Sequence, residues 1–440
     1  MRRTRSSNHG PSIGLLGATA IGVGGMVGGG IFAVLGVAAE RAGGATPLAF
    51  AIAGVVAGLT AFSYSRLSVR FVSAGGTVTF VDRAFGIGEV TGSLNIVLWA
   101  GYIVTAALYA SAFGHYSATL ITGDAQAGGL RLLIALGVLV PWLINLVDAS
   151  LVSRSETLVV VTKVVILMIV IVAGAPQVSP GRLDPSTWSS PLSIVAAGML
   201  IFVAYEGFEL IANASADTHR PRTTLPRAFA LSVGLVVVLY VVIAVVTVGS
   251  LSAQRIAETA DYALAAAASV SLGQLGFILV GISAVLATFS AINATLYGTA
   301  RLSFTIASEG ELPDALERRA WNQPVGLHIT AVLALTLAVA MPVSSISAMA
   351  SAIFLVVFGV VNAAEFRTDP SGAARAVAAA GALGCAVSLV VLVGESLRTD
   401  PVAMAVLAAL IAAALAGEHA VLKYRRPDHL RLPTAQDASQ

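Results

Sequence analysis

Apolar stretches long enough to cross a lipid bilayer recur along this chain and restrict what it can fold into. A hydrocarbon core about 30 Å thick requires roughly 20 helical residues. A stretch such as Val233 to Val248 is apolar on every face, which favours a helix over the alternating strands of a membrane barrel. We therefore predict an all-α polytopic membrane protein with about twelve transmembrane helices. The predicted spans are 13–41, 46–70, 88–121, 130–147, 155–174, 191–214, 226–250, 272–307, 326–341, 344–364, 374–394 and 401–422.

The composition agrees with a lipid environment and argues against several classes of function. Charged residues make up 11% of the chain, whereas they are roughly a quarter of a soluble domain. A net charge of +2 predicts no nucleic-acid partner. One cysteine, Cys385, and six scattered histidines predict neither a disulfide nor a metal site. Because the sequence lacks the common nucleotide-binding and hydrolase motifs, we expect no enzyme activity and no cofactor.

The positions of arginine and lysine predict how the chain crosses the membrane, because cytoplasmic loops are enriched in them. With the N-terminus inside, 19 of the 25 fall on the cytoplasmic side and 5 on the other, with Lys163 inside a span. We therefore expect both termini in the cytoplasm of a multi-pass cell-membrane protein. Residues 1–12 would form an N-terminal tail, 13–424 a single transmembrane domain and 425–440 a C-terminal tail.

The first span contains a run of glycines that is unfavourable for a regular helix. Six glycines lie within residues 22–30, and each costs about 1 kcal/mol relative to alanine. An unwound helix would expose backbone N–H groups and a positive dipole end, which together suit a substrate carboxylate. The alternative is close helix packing, since Gly24/Gly28 and Gly25/Gly29 have the small-xxx-small spacing. The glycine run by itself leaves both interpretations open.

The sixth span also looks interrupted, at Ala204 to Glu209, five spans after the first. Discontinuous helices at matching positions of two inverted halves indicate a substrate site near the membrane midplane. Glu206 and Glu209 lie close to the centre of this span, and a carboxylate deep in a membrane is by default a functional-site hypothesis. Glu206 could neutralise a substrate amine or take up a proton, while Glu209 could brace the unwound segment. Alternatively, both satisfy only local backbone groups.

Lys163 interrupts the apolar stretch 158–173 of the fifth span and is one of only two lysines in the chain. Its ammonium could occupy the place of a sodium ion and exchange protons. The alternative is snorkelling to the membrane surface, because Lys163 lies five residues from the apolar edge at Leu158, about 7.5 Å of helix rise.

Two further pairs of residues are spaced to share a helix face. Ser290 and Asn293 of the eighth span could ligate sodium or hydrogen-bond an ammonium, or could make ordinary interhelical hydrogen bonds. Tyr102 and Tyr109 of the third span, seven residues apart, could line a pocket or pack in an aromatic core.

Three segments carry motifs that occur in order along the chain. They are GVGGMVGGGIF at 22–32, FVAYEGFE at 202–209 followed by HRPRTTLPR at 219–227, and a stretch from Ser290 through Arg301 to the EGELP at 309–313. The first is similar to GxGxxIGxGIF. The second is similar to FxxGFE and NPxRxxPRA, with His219-Arg220 replacing the usual Lys-Asn pair. Together the three motifs resemble those of the amino acid permeases of the amino acid-polyamine-organocation superfamily. The third is similar to the eighth helix of that family and to the acidic, proline-ended segment that follows it.

This resemblance implies the LeuT-like fold, in which two inverted five-helix repeats, here about 13–174 and 191–364, precede two trailing helices. Substrate would bind at the broken first and sixth helices, and transport would proceed by alternating access. Carried over by position, the backbone at Gly28, Gly29 and Gly30 would hold a substrate carboxylate. Carbonyls near Phe202 and Ala204 would receive the amino group, with Phe202 or Tyr205 as a gate.

The resemblance also implies a role for the lysine. In proton-coupled relatives a lysine of the fifth helix lies where sodium binds in sodium-coupled ones, and Lys163 matches that position, with Ser290 as its neighbour. Glu206 departs from the pattern, because many of these permeases carry an apolar residue there. An acidic pocket could select amines or cationic amino acids, or its carboxyl group could carry the coupling proton.

We therefore predict proton-coupled uptake of an amino acid or a related small organic substrate. The predicted partners are that substrate, protons and the lipid bilayer. The alternatives are an exchanger or a sodium-coupled carrier of the same fold, and a channel or a non-transporting receptor. The residues predicted to bind substrate are Gly28, Gly29, Gly30, Phe202, Ala204, Tyr205, Glu206 and Tyr102, and those predicted to couple protons are Lys163, Ser290 and Glu206.

Overall fold

A computed structural model describes residues 12–86, 88–123, 128–147, 156–308, 319–321 and 323–424. The predicted C-terminal tail, all of the predicted N-terminal tail except Ser12, and residues 309–313 lie outside these ranges. The α-helices are α1 (Leu15–Met26), α2 (Gly30–Ala42), α3 (Thr46–Arg70), α4 (Gly76–Phe85), α5 (Glu89–Thr122), α6 (Leu130–Val147), α7 (Glu156–Gly174), α8 (Pro191–Leu200), α9 (Leu210–Asn213), α10 (Pro221–Ser250), α11 (Ala253–Glu258), α12 (Ala263–Ser308), α13 (Val325–Ala340), α14 (Val343–Thr368), α15 (Gly372–Thr399) and α16 (Pro401–Tyr424). A short antiparallel pair, β1 (Arg319–Ala320) and β2 (Gln323–Pro324), precedes α13.

The helices confirm an all-α polytopic membrane protein. Within the described residues, eight helices are long and apolar enough to cross a bilayer, and ten spans result if each of two bent helix pairs counts as one. Two shorter apolar segments, α13 (Val325–Ala340) and the first part of α16 (Pro401–Ala413), would also have to cross the membrane to give the predicted twelve spans.

The two bent pairs lie where the sequence predicts interrupted spans. α1 and α2 meet at an angle of 47°, and α8 meets the segment Phe202–Asn213 at the same angle. The second break contains a 3-10 turn, Phe202–Tyr205, before the single turn of α9. Both predicted interruptions are therefore present.

Two elements differ from the predicted spans. α4 is a ten-residue helix, which is too short to appear as an apolar span. α12 begins at Ala263 rather than near residue 272, and Gly273 within it has a positive φ of 58°. That conformation favours glycine, and it separates the first part of α12 from the predicted eighth span.

Long-range contacts hold α5 and α3 at the centre of the helix assembly. α5 packs against α12, α14, α13 and α6, while α3 packs against α10 and α14. An ion-pair cluster joins the ends of α3 and α14, with Arg66 Nε 2.9 Å from Glu365 Oε1 and Arg70 Nη2 2.6 Å from Asp369 Oδ2. Both carboxylate side chains are completely buried. We call these four residues the α3–α14 charge cluster.

Candidate substrate site

The break between α1 and α2 leaves backbone carbonyls without a helical partner, as every helix C-terminus does. Side chains from two other helices bind them. Lys163 Nζ of α7 donates to the Gly24 carbonyl at 2.9 Å, and the Tyr240 hydroxyl of α10 donates to the Met26 carbonyl at 2.7 Å. Lys163 is only 4% exposed, so its ammonium lies inside the protein and not at the membrane surface.

The second break is held in the same manner by side chains. Ser351 of α14 accepts from the Val203 N–H at 2.9 Å and donates to the Leu200 carbonyl at 2.8 Å. Glu209 Oε2 accepts from the Gly207 N–H at 2.7 Å. Glu209 therefore makes the bracing contact considered for it from the sequence.

The two breaks touch each other through their backbones at Gly25 and Gly207. A Cβ added to Gly25 would lie 2.6 Å from the Gly207 carbonyl oxygen, and one added to Gly207 would lie 2.4 Å from the Gly25 carbonyl carbon. Gly207 also has a φ of +115°, a conformation that side chains rarely adopt. Close packing and helix breaking, the two alternatives for the glycine run, thus occur together.

Two tyrosines on one face of α5 contact the two buried carboxyl groups. The Tyr109 hydroxyl donates to Glu206 Oε2 at 3.2 Å, and the Tyr102 hydroxyl donates to Glu209 Oε1 at 3.3 Å. Glu206 and Glu209 are 6% and 1% exposed. Neutral hydroxyl donors partly offset the unfavourable burial of these acidic groups.

Two cavities meet at Glu206. The smaller one, about 50 Å³, lies between the first break, α7, the second break and α12, and its walls include Gly28, Lys163, Glu206 and Ser290. We call it the inner cavity. The larger one, about 150 Å³, is the vestibule, and its walls include Tyr102, Glu206, Asn213 and Thr299. Leu210, Ala294 and Thr295 also belong to both.

The predicted site residues that line neither cavity are Gly29, Gly30, Phe202, Ala204 and Tyr205. A Cβ on Gly29 would meet the Tyr109 ring at 2.4 Å, and one on Gly30 would meet Ala204 Cα at 2.9 Å. The Phe202 ring packs edge-on against Phe358, and the Tyr205 hydroxyl donates to the Phe50 carbonyl. In this conformation neither cavity therefore reaches these five residues.

The two polar residues considered for the eighth span separate in the structure. Ser290 lines the inner cavity beside Lys163. Asn293 instead accepts a hydrogen bond from Asn145 of α6 at 2.7 Å, which is the interhelical alternative.

Comparison with known proteins identifies the family. A family model described as amino acid permease matches residues 13–394. The chain belongs to the amino acid permease family. An inner membrane transport protein of Escherichia coli is 35% identical over 81% of this permease and 84% of its own length. An uncharacterized protein of Methanocaldococcus jannaschii is 34% identical over 78% of this permease and 79% of its own length. The chloroplastic cationic amino acid transporter 9 of Arabidopsis thaliana is 28% identical over 70% and 57%. The family and the relatives from Escherichia coli and Arabidopsis thaliana are transporters and not enzymes.

The sequence reasoning missed Tyr240, which contacts both breaks of this permease. Its hydroxyl lies 2.7 Å from the Met26 carbonyl and 3.3 Å from the Ala204 carbonyl. A tyrosine has one proton to donate, so the shorter contact takes the hydrogen bond. The available signal was a hydroxyl group within the long apolar stretch of α10. Ser351, similarly placed in α14, carried no comparable signal because serines are frequent around it.

Proposed function

We propose that this permease takes up an amino acid, or a related small organic molecule, by proton symport with alternating access. The observation that carries the proposal is the contact between the Lys163 ammonium and the Gly24 carbonyl at the broken first span, beside the inner cavity. The Lys163 side chain at this position would occupy the space where a coupling sodium ion would bind, so uptake should not need sodium.

The substrate's charged ends would bind at the two breaks. The first N–H groups of α2, at Gly29 and Gly30, lie at a helix N-terminus, where the dipole attracts a carboxylate. The amino group would bind near the carbonyls of Phe202 and Ala204, with Glu206 as its counter-charge. Because the Tyr109 ring covers Gly29, substrate entry would require this ring to turn aside.

Proton binding at Lys163 would control how firmly the first span is held. A charged ammonium binds the Gly24 carbonyl strongly because hydrogen bonds with an ionised donor are roughly twice as strong as neutral ones. Loss of the proton would weaken this contact and free the end of α1 to move. Glu206 is the second candidate carrier, since it borders both cavities.

In this proposal the chain crosses the membrane twelve times, forms two inverted repeats with both termini in the cytoplasm, and works by alternating access. The vestibule extends to Gly75 and Asn213, near the α3–α4 connection that the arginine pattern assigns to the cytoplasm. On the opposite side α2 closes tightly, because a Cβ on Gly36 would meet the Ala260 carbonyl oxygen. These features support an inward-facing conformation.

Uptake into proteoliposomes tests the proposal. A panel of radiolabelled amino acids, including cationic and large neutral ones, is offered under an inward proton gradient and, separately, under a sodium gradient at matched pH. Accumulation with protons alone is the expected result. Dependence on sodium would refute proton symport. Exchange of preloaded substrate without gradient-driven uptake would favour the exchanger.

A further inference from the structure

The inner cavity and the vestibule differ in size and in the chemistry of their walls. A site needs about 10–15 Å³ of such volume to hold one water, so the inner cavity has room for about four waters and the vestibule for about ten or more. The ammonium, the backbone groups and Ser290 surround the inner cavity. It therefore suits the amino and carboxyl groups of an amino acid on their way to the two breaks, but it has no room for a large side chain.

Apart from Tyr102, Glu206 and Asn213, the wall of the vestibule is largely apolar. Val78, Leu98 and Leu302 contribute aliphatic surface. The hydroxyl groups of two threonines in the wall are already engaged within the protein, since Thr77 bonds to Tyr64 at 2.7 Å and Thr299 donates to the Thr295 carbonyl at 2.7 Å. Both hydroxyl groups therefore already have a hydrogen-bond partner within the protein.

One position in the vestibule wall, Gly298, has no side chain and has free space where a side chain would lie. Gly298 of α12 lines the vestibule one helical turn after Ala294, and a Cβ added there would meet no atom of the described residues within 4 Å. Gly281, on the same helix, is instead required by packing, because its Cβ would lie 2.6 Å from Leu120. The missing side chain at 298 therefore adds space to the vestibule and serves no packing contact in the structure.

We propose that the vestibule receives the substrate's side chain, that it accepts large apolar side chains, and that Gly298 sets the largest size accepted. This inference rests on the proposed function, because it requires an amino acid whose charged end reaches the two breaks through the inner cavity once the Tyr109 ring, which borders that cavity, has turned aside. The side chain passes between the cavities at Ala294 and Thr295, which border both.

Competition measurements with a graded series test the inference. Alanine, valine, leucine and phenylalanine compete for uptake in wild type, Gly298→Ala and Gly298→Val. One methylene of misfit in an apolar pocket changes discrimination by about 10- to 200-fold. We therefore expect Gly298→Val to weaken competition by leucine and phenylalanine at least tenfold relative to competition by alanine. The effect of Gly298→Ala should lie between those of wild type and Gly298→Val. Gly394→Val on α15 is the matched control, because a Cβ there also meets nothing within 4 Å in the part of the chain that the structure describes, and Gly394 lines neither cavity.

Thiol labelling gives a second readout that does not require transport. Cys385 is buried, so a Gly298→Cys variant presents its reactive thiol in the vestibule, and Gly394→Cys serves as the control. We expect leucine and phenylalanine to slow labelling at 298 strongly, alanine to slow it little, and none of them to affect labelling at 394.

The outcomes separate the inference from the function on which it rests. If wild type transports amino acids but Gly298→Val keeps the wild-type order of side-chain sizes, the inference alone is wrong. Equal protection of the 298 thiol by alanine and phenylalanine has the same meaning. If wild type neither transports nor binds any amino acid, the proposed function fails and the inference falls with it.

Discussion

Replacing Gly207 by alanine should destabilise the permease by driving the two broken spans apart. The added Cβ would lie 2.4 Å from the Gly25 carbonyl carbon, roughly 1 Å inside an ordinary carbon contact of about 3.5 Å. Overpacking of this kind costs about 1–3 kcal/mol. A side chain at a φ of +115° adds about 1–3 kcal/mol of backbone strain. We therefore expect a loss of about 2–6 kcal/mol in the free energy of unfolding.

Two further alanine variants separate these effects. Gly25→Ala meets the same contact from the other side, at 2.6 Å from the Gly207 oxygen, but lies in helical backbone, so only the overpacking of about 1–3 kcal/mol applies. Gly58 lies in the interior of α3, and among the described residues no atom lies within 4 Å of a Cβ added there. Gly58→Ala should therefore gain up to about 1 kcal/mol from helix propensity.

Equilibrium unfolding in mixed detergent micelles, followed by circular dichroism, measures all three variants against wild type. The expected order of stability is Gly58→Ala, wild type, Gly25→Ala and then Gly207→Ala. Wild-type stability in both Gly25→Ala and Gly207→Ala would refute the backbone contact between the breaks.

Three other substitutions test individual contacts. Lys163→Ala should abolish proton-driven accumulation while retaining some substrate binding; unchanged accumulation would remove Lys163 from the coupling mechanism. Tyr240→Phe leaves a buried carbonyl without its donor and should destabilise by about 1–3 kcal/mol, whereas Tyr297→Phe, 39% exposed, should have little effect on unfolding. Arg70→Met removes one of the two arginines that pair with the buried carboxylates of the α3–α14 charge cluster. Because Arg66 still contacts both, we expect a loss of about 1–3 kcal/mol in the free energy of unfolding. Arg255→Met, in an exposed pair, should change stability by less than about 1 kcal/mol, and equal effects of the two would contradict a buried role for the cluster.

Local composition was sufficient to predict an all-α polytopic membrane protein and the positions of both breaks. Apolar length gives spans because the bilayer has a fixed thickness, and the glycine run of residues 22–30 destabilises a helix wherever it packs. The second break was marked by Glu206, Gly207 and Glu209, polar or flexible residues in an otherwise apolar span. These signals are local, so they can be seen without knowing which helices become neighbours.

The contacts that complete the site are between residues distant in sequence, and no single-sequence pattern gives them. Lys163 and Gly24 are 139 positions apart in the sequence, and Tyr240 and Met26 are 214 positions apart. The Gly25–Gly207 contact depends on the relative placement of two helices, which the spacing of small residues does not specify. For the same reason the sequence could not show that Gly28 lines the inner cavity while Gly29 lies under the Tyr109 ring.

Proton movement driven by substrate tests the central proposal most directly. Purified permease is reconstituted into sodium-free liposomes that contain a pH-sensitive dye, and an amino acid accepted by wild type is added outside without any imposed gradient. Symport predicts acidification of the lumen that depends on the amino acid and is absent with Lys163→Ala. Entry of the amino acid with no change in lumenal pH, or only when sodium is supplied, would contradict it.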